Sequence, residues 1–268
     1  MCSSDLLPQR IATGLVYAFS LIASLFFAPN LFMFIAFILA LASVLELHHM
    51  SEKTPILMIL GVSLFFGCCF FFRTHHNFAL SVLFIFFGFC IFLALLLFKG
   101  NKETLDFSAA LLSAISIFYI SIGMSFLIFI AQNENYNGAV VLAFIFFVQW
   151  SNDSFSYLIG KWKGKKILFP SISPKKTLEG YVGGLLCTLL FAVAVKNLVD
   201  FDYTQAIGLT FLICLGGNTG DLIESKIKRL LGKKDSSQLL PGHGGFFDRI
   251  DSIIISLPIS YLFLQLFY

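Results

Sequence analysis

Long apolar runs separated by short polar segments dominate the pattern of this chain. An α-helix needs about 20 residues to cross the hydrocarbon core of a bilayer, and each of these runs is long enough for one crossing. Inside a bilayer the backbone hydrogen bonds must close within each segment, which favours helices. The sequence therefore predicts an all-α, polytopic transmembrane helical bundle of about nine spans. The runs lie at residues 11–28, 31–47, 55–72, 78–98, 107–131, 138–160, 180–199, 204–224 and 250–267.

Composition supports a membrane protein and argues against a soluble domain, a nucleic-acid-binding protein and a zinc site. The 268 residues are 58% hydrophobic and only 12% charged, with 34 phenylalanines, whereas soluble domains have about 25% charged residues. The net charge of +3 is too small to indicate a nucleic-acid-binding protein. None of the six cysteines has the spacing of a zinc site, so they are interpreted as small apolar residues within the bundle.

The basic residues are distributed unevenly between alternate loops. With nine spans and an inner N-terminus, 16 of the 18 Lys and Arg residues fall on the inner side, and Arg73 and Lys196 fall on the outer side. Inner loops of membrane proteins carry such an excess of positive charge. The sequence therefore predicts an N-in/C-out orientation.

The two halves of the chain differ in character. The first five spans carry almost no ionisable groups, but polar residues and glycines appear within the spans from Trp150 onward. We therefore expect one integral membrane unit in which residues 1–137 form an N-terminal transmembrane scaffold. Residues 138–268 would form a C-terminal transmembrane catalytic region.

The segment 220–251 carries the densest candidate chemistry. If its start is helical, Asp221, Ser225 and Lys228 share one face. An ionised carboxylate at the edge of an apolar span is expensive and usually functional. Because Mg²⁺ uses one or two protein carboxylates, Asp221 and Asp248 are candidate ligands from two helices. Asp251 could equally be a simple helix cap.

Phosphate binding is indicated by the other residues of this segment. Glycines beside His243 would let backbone N–H groups approach phosphate oxygens. Lys226, Lys228 and Arg229 would add positive charge. Attraction to anionic lipid headgroups, worth about 1 kcal/mol per residue, is the alternative for basic residues near a membrane.

The segment resembles the signature of the phosphatidate cytidylyltransferase family. Its fixed positions are all present, and they are Ser225, Lys228, Arg229, Lys234, Asp235, His243, Gly244, Gly245, Asp248, Arg249 and Asp251. Asp153, Tyr157 and Gly160 resemble a second family pattern at the end of a span. The loop from Ser173 to Gly180 resembles a third.

The resemblance implies that CTP and phosphatidic acid give CDP-diacylglycerol and pyrophosphate. It implies Mg²⁺, a possible second metal ion, a homodimer, and a bacterial-type inner membrane with the active site facing the cytoplasm. Asp221, Asp248 and Lys228 would be catalytic, with Asp221 and Asp248 as metal ligands and Asp153 and Asp251 as further candidates. The expected substrate-binding residues are Ser173, Lys176, Thr177, Ser225, Lys226, Arg229, His243, Gly244, Gly245 and Arg249.

Other functions remain open from the residues alone. Polar residues within spans, such as Asn152 and Asp153, also mark transport pathways. Against a transporter, the ionisable groups cluster on one predicted side and not at the midplane, and no repeat relates the two halves. A CTP-dependent lipid kinase, a synthase acting on another lipid backbone and a purely structural membrane protein are the remaining alternatives.

Overall fold

Helices make up nearly all of the computed structural model, which describes residues 6–51, 56–99, 108–237 and 244–268. Their bounds follow the predicted apolar runs. The helices are α1 Leu6–Phe27, α2 Pro29–Ser51, α3 Ile56–Phe71, α4 His76–Lys99, α5 Ala109–Ala114, α6 Ile122–Ala131, α7 Gly138–Lys163, α8 Leu178–Val195, α9 Tyr203–Leu230 and α10 Phe247–Leu264. A π-helical segment, Ile115–Ser121, joins α5 to α6, and a 3-10 turn, Lys196–Leu198, follows α8.

Six helical stretches in the described part are long and apolar enough to cross a membrane. They are Pro29–Ser51, Asn77–Phe98, Ala110–Ala131, Gly138–Lys163, Leu178–Leu198 and Tyr203–Leu230. Two shorter apolar stretches, Gly14–Phe27 and Met58–Phe71, lie within α1 and α3. The prediction of a helical membrane protein is thus confirmed, while the count of nine spans and the N-in/C-out orientation stay predictions.

A small β-hairpin departs from the all-helical expectation. Strand β1, Ile167–Phe169, pairs antiparallel with β2, Ser173–Thr177, so that Ile167 lies opposite Thr177. Contacts from outside the hairpin hold it in place. The Arg229 Nε donates to the carbonyl of Ile172 at 3.2 Å, on the turn between the strands. Because these contacts are tertiary, hydrophobic periodicity along the chain could not reveal the hairpin.

Glycines allow the helices that carry polar residues to approach closely. A Cβ on Gly220 of α9 would lie 2.2 Å from the carbonyl oxygen of Asp251 on α10. A Cβ on Gly123 of α6 would lie 2.5 Å from the carbonyl oxygen of Ile254 on α10. Small residues at helix crossings are typical of membrane bundles, where close backbone packing drives association. As a result, α10 is fixed against both α9 and α6.

The π-helical segment contacts the same region. Tyr119, which is fully buried, donates from its hydroxyl to the carbonyl of Gly220 at 3.3 Å. π-Helical turns are frequently found at functional sites. Here the Tyr119 side chain of the π segment reaches the backbone next to Asp221.

Candidate active site

The last turns of α9 present one polar face, as the sequence predicted. Asp221 and Ser225 lie one helical turn apart, and the Ser225 Oγ donates to the Asp221 Oδ1 at 3.1 Å. Lys228, two turns from Asp221, points toward the start of α10 and binds Asp248. The face therefore joins α9 to α10 through side chains of opposite charge.

Three carboxylates come together where α9 meets α10. One oxygen from each of Asp221, Glu224 and Asp251 lies within 4.8 Å of the other two. Glu224 is fully buried, and its Oε1 has no hydrogen-bond partner among the described residues. Clustered hard oxygens, one of them orphaned, form the kind of donor set that Mg²⁺ takes. The sequence analysis missed Glu224, although its position three residues after Asp221 places it on the same helix face.

Two lysines face these carboxylates. Lys176, at the end of β2, forms an ion pair with Asp221. Lys228 lies 2.7 Å from the Glu224 Oε2 and 2.5 Å from the Asp248 Oδ1. The arrangement therefore differs from the predicted pair of metal ligands, since Asp221 groups with Glu224 and Asp251 while Asp248 faces Lys228.

Asp248 is held by backbone groups of the preceding loop. Its Oδ2 accepts from the amides of Gly245 and Ser236 at 2.9 and 3.2 Å, and the Ser236 hydroxyl oxygen lies 3.0 Å away. Gly244 has a φ of +81°, and a Cβ there would lie 2.5 Å from the Asp248 Oδ2. Glycine is required at such a position because other residues rarely adopt a positive φ. The sequence predicted that these glycines bring backbone N–H groups to a phosphate, and in the structure the Gly245 amide bonds Asp248.

A first cavity of about 320 Å³ opens between the hairpin and helices α7, α8 and α9. Lys176, Ser173 and Thr177, which the sequence predicted to bind substrate, line this cavity. The Thr177 Oγ1 also accepts from the amide of Gly180 at 3.2 Å, so Thr177 caps α8 as well. Asp221 lies in the wall of this cavity, which connects it to the acidic group.

A second cavity of about 400 Å³ lies between α1, α7 and α10. Asp251, Asp248 and Arg249 line it, together with Tyr17 of α1. Asp153 lines both cavities and accepts from the Gln149 Nε2 at 3.1 Å. The two cavities thus adjoin at Asp153, next to residues of the acidic group.

Four predicted residues do not match their expected roles or fall outside the described part of the chain. Lys226 lies over the ring of Phe98 at 5.7 Å and is not among the residues that line the two cavities. Arg229 donates to the carbonyls of Ile172 and Lys233, so it ties the hairpin to the end of α9. His243 lies outside the described residues. Asp251 lies in the second turn of α10, which begins at Phe247, so it is not a cap.

The first half of the chain also reaches the site. Glu46 of α2 is buried, with an exposure of 3%, and accepts hydrogen bonds from the loop before α10 and from the start of that helix. The available signal was an ionisable residue within an apolar run, which is usually functional. The sequence analysis treated the first five spans as scaffold and did not select this residue.

Comparisons with known proteins agree with the signature. A family model described as the cytidylyltransferase family matches residues 8–267 of this chain. A phosphatidate cytidylyltransferase of Staphylococcus aureus (strain COL) is 40% identical over 161 residues, which are 59% of this chain and 60% of that protein. Those of Staphylococcus saprophyticus and Staphylococcus haemolyticus are 39% and 38% identical over 161 residues. The chain thus spans about 60% of the length of these relatives.

Proposed function

Since this chain belongs to the cytidylyltransferase family, we propose that it transfers a cytidylyl group from CTP to phosphatidic acid, forming CDP-diacylglycerol and pyrophosphate. The relatives named above are phosphatidate cytidylyltransferases, which supports this choice of substrates. The signature from Ser225 to Asp251 agrees with it.

The single observation that carries the proposal is the acidic group beside two cavities. Asp221, Glu224 and Asp251 are close enough to share one cation. Asp221 lines the first cavity and Asp251 lines the second. A reaction between two large anionic substrates needs such an arrangement, with one binding space on each side of a charged centre.

Mg²⁺ fits the donor set, which consists of carboxylate oxygens that include the orphaned Glu224 Oε1. Asp221, Glu224 and Asp251 would hold it, one or two of them by direct ligation and the rest through bound water. When bound, the ion would neutralise negative charge on the triphosphate and polarise the phosphorus that is attacked.

The proposed step is a displacement at the α-phosphorus of CTP. An oxygen of the phosphatidate phosphate forms a bond to this phosphorus. The bond from the α-phosphorus to the oxygen that bridges to the β-phosphate breaks, and pyrophosphate leaves with that electron pair. The phosphate monoester is already anionic, so the step needs no general base, and catalysis depends on positioning and charge stabilisation.

The lysines can supply the fixed positive charge. Lys176 lines the first cavity and pairs with Asp221, so a bound triphosphate could replace this carboxylate as its partner. We assign the first cavity to the nucleotide, because Ser173 and Thr177 add hydroxyl groups there. We assign the second to the lipid phosphate, because it borders α1, where Leu15 and Val16 are exposed apolar residues that suit contact with lipid.

We place the site at the cytoplasmic face of a bacterial-type inner membrane. The basic residues predicted to lie inside include Lys176 and Lys228, which contact the acidic group. The positive-inside rule then orients that end of the bundle toward the cytoplasm. The homodimer implied by the resemblance stays a prediction.

Release of pyrophosphate tests the proposal. Purified protein is mixed with CTP and Mg²⁺ in detergent micelles, with phosphatidic acid or with phosphatidylcholine as the control lipid. We expect pyrophosphate only with phosphatidic acid. Release of CDP instead would indicate a lipid kinase, and release of neither product would contradict the proposal and favour a transporter.

A further inference from the structure

Glu46 provides an unusual contact between distant parts of the chain. It lies near the end of α2, and each of its carboxylate oxygens accepts two hydrogen bonds. Oε1 accepts from the Ser237 hydroxyl at 2.7 Å and the Phe246 amide at 2.9 Å. Oε2 accepts from the Ser236 hydroxyl at 2.8 Å and the Phe247 amide at 2.9 Å. The carboxylate thus joins the two described ends of the loop that precedes α10.

The contact also caps α10 from another helix. The first amides of a helix have no partner within the helix, and a side-chain oxygen from the preceding residue usually satisfies one of them. The preceding residue here is Phe246, whose side chain has no oxygen. Glu46 supplies the acceptor instead, and its negative charge is favourable at a helix N-terminus.

A chain of polar contacts continues from Glu46 to the acidic group. The hydroxyl of Ser236 lies 2.8 Å from Glu46 and 3.0 Å from the Asp248 Oδ2. The other oxygen of Asp248 lies 2.5 Å from the Lys228 Nζ, which lies 2.7 Å from Glu224. Each step is within hydrogen-bonding distance, so an unbroken line of polar contacts links Glu46 to Glu224.

We infer that Glu46 is a positioning residue for the metal-binding group, acting through Ser236, Asp248 and Lys228. The inference rests on the proposed function, in which Glu224 holds a divalent cation. Asp248 draws the Lys228 ammonium toward α10 and shares it with Glu224. If Asp248 loses its orientation, Lys228 pairs with Glu224 alone and competes with the cation for that carboxylate.

The burial and the four hydrogen bonds of Glu46 also suit this role. A carboxylate that accepts four hydrogen bonds while buried has little freedom to move, since each lost bond would leave a donor unpaired. Interactions around metal ligands typically change metal affinity or activity by about 10- to 100-fold when they are removed. Glu46 lies beyond the ligands themselves, so we expect an effect near the lower limit.

The test compares Glu46→Gln with Ser236→Ala in the full-length protein. Glu46→Gln keeps the size of the side chain but turns one acceptor into a donor that faces other donors. Ser236→Ala removes the hydroxyl that joins Glu46 to Asp248. Glu134→Gln is the matched control, because Glu134 is exposed in the loop between α6 and α7, at the opposite end of α7 from Lys163.

Two measurements are made on each variant. Binding of Mn²⁺, used as a probe for Mg²⁺, is followed by electron paramagnetic resonance without substrate. The Mg²⁺ concentration that gives the half-maximal rate is measured with CTP and phosphatidic acid. Partial misfolding lowers the number of Mn²⁺ sites and the maximal rate. It leaves the dissociation constant for Mn²⁺ and the half-saturating Mg²⁺ concentration unchanged.

We expect Glu46→Gln to weaken Mn²⁺ binding and raise the half-saturating Mg²⁺ concentration by about tenfold. Ser236→Ala should shift both in the same direction by less, and Glu134→Gln should stay within about twofold of wild type. Wild-type Mn²⁺ affinity in both Glu46→Gln and Ser236→Ala would overturn the inference. If the wild-type protein bound Mn²⁺ but made no lipid product, the proposed function would fail, while the Mn²⁺ titrations would still decide whether Glu46 acts on the acidic group.

Discussion

Gly220 offers a sharp test of how α9 and α10 build the site. Its backbone faces the carbonyl oxygen of Asp251, which a Cβ would approach to 2.2 Å. Its own carbonyl accepts a hydrogen bond from the Tyr119 hydroxyl. Gly220→Ala therefore adds one methyl group at the crossing, beside two of the three clustered carboxylates.

The size of the effect follows from the geometry. Contacts of a Cβ closer than about 3 Å are essentially not tolerated, so the two helices must move apart by about 1 Å at this point. Overpacking of this kind typically costs about 1–3 kcal/mol, and the better helix propensity of alanine offsets up to about 1 kcal/mol. A displacement of about 1 Å between reacting groups can lower the rate about 100-fold. We therefore expect kcat to fall about 100-fold, while the free energy of unfolding falls by no more than about 3 kcal/mol.

The assay measures kcat for CDP-lipid formation and the midpoint of thermal unfolding in the same detergent. Gly88→Ala is the matched control, since a Cβ at this position of α4 would meet nothing within 4 Å. We expect the control to keep wild-type activity and to be as stable as wild type or more stable by up to about 1 kcal/mol, because alanine favours the helix. Gly220→Ala with wild-type kcat would refute the conclusion that the α9–α10 crossing sets the spacing of the acidic group.

Three further substitutions test separate parts of the site. Lys176→Met should lower kcat/KM for CTP by about 10- to 100-fold, because a charged hydrogen bond to phosphate is worth about 1.5–3 kcal/mol. An unchanged kcat/KM in initial-rate measurements would exclude Lys176 from the nucleotide site. Glu224→Gln should raise the half-saturating Mg²⁺ concentration at least about tenfold, since it removes one charged ligand, and unaltered Mg²⁺ dependence would exclude this carboxylate from the metal site. Gly244→Ala should lower the midpoint of thermal unfolding, because a positive φ costs a non-glycine residue about 1–2 kcal/mol and the new Cβ would meet Asp248. A midpoint equal to that of wild type would contradict the requirement for glycine.

Much of the fold could be predicted because hydrophobic length is a strong signal in membrane proteins. Each predicted run overlaps helix in the described part of the chain, but the helices that carry the site extend further. The α9 helix continues to Leu230, beyond the apolar run that ends at 224. Charged residues of its last turns are helical because they pair with α10 and with the hairpin, as Lys228 and Arg229 do. Hydropathy alone contains no information on these partners.

The candidate site was predicted in its residue types and less well in its pairings. Spacing along α9 placed Asp221, Ser225 and Lys228 on one face, and the hydrogen bond from Ser225 to Asp221 agrees with this. Which carboxylates of α9 and α10 approach each other depends on the rotation of both helices at the Gly220 crossing. That rotation places Asp251 beside Asp221 and leaves Asp248 to Lys228.

Long-range contacts were the hardest to predict. Glu46 precedes its partner Phe246 by 200 residues, and a single carboxylate within an apolar run does not indicate its partner. An ionisable residue within a span is expected to face the bundle interior. The four donors to Glu46, however, come from the loop before α10 and from the first residue of α10, which reach it only because α2 packs against α10. Such a contact becomes visible only once the bundle is assembled.

The most direct test of the proposed function is identification of the lipid product. Purified protein is incubated with ¹³C-labelled CTP, phosphatidic acid and Mg²⁺, and the extracted lipids are analysed by mass spectrometry beside an Asp221→Asn control. The account predicts a lipid heavier than phosphatidic acid by one labelled cytidylyl group, formed by the wild-type protein and strongly reduced in the control. A wild-type reaction that leaves phosphatidic acid unlabelled would contradict it.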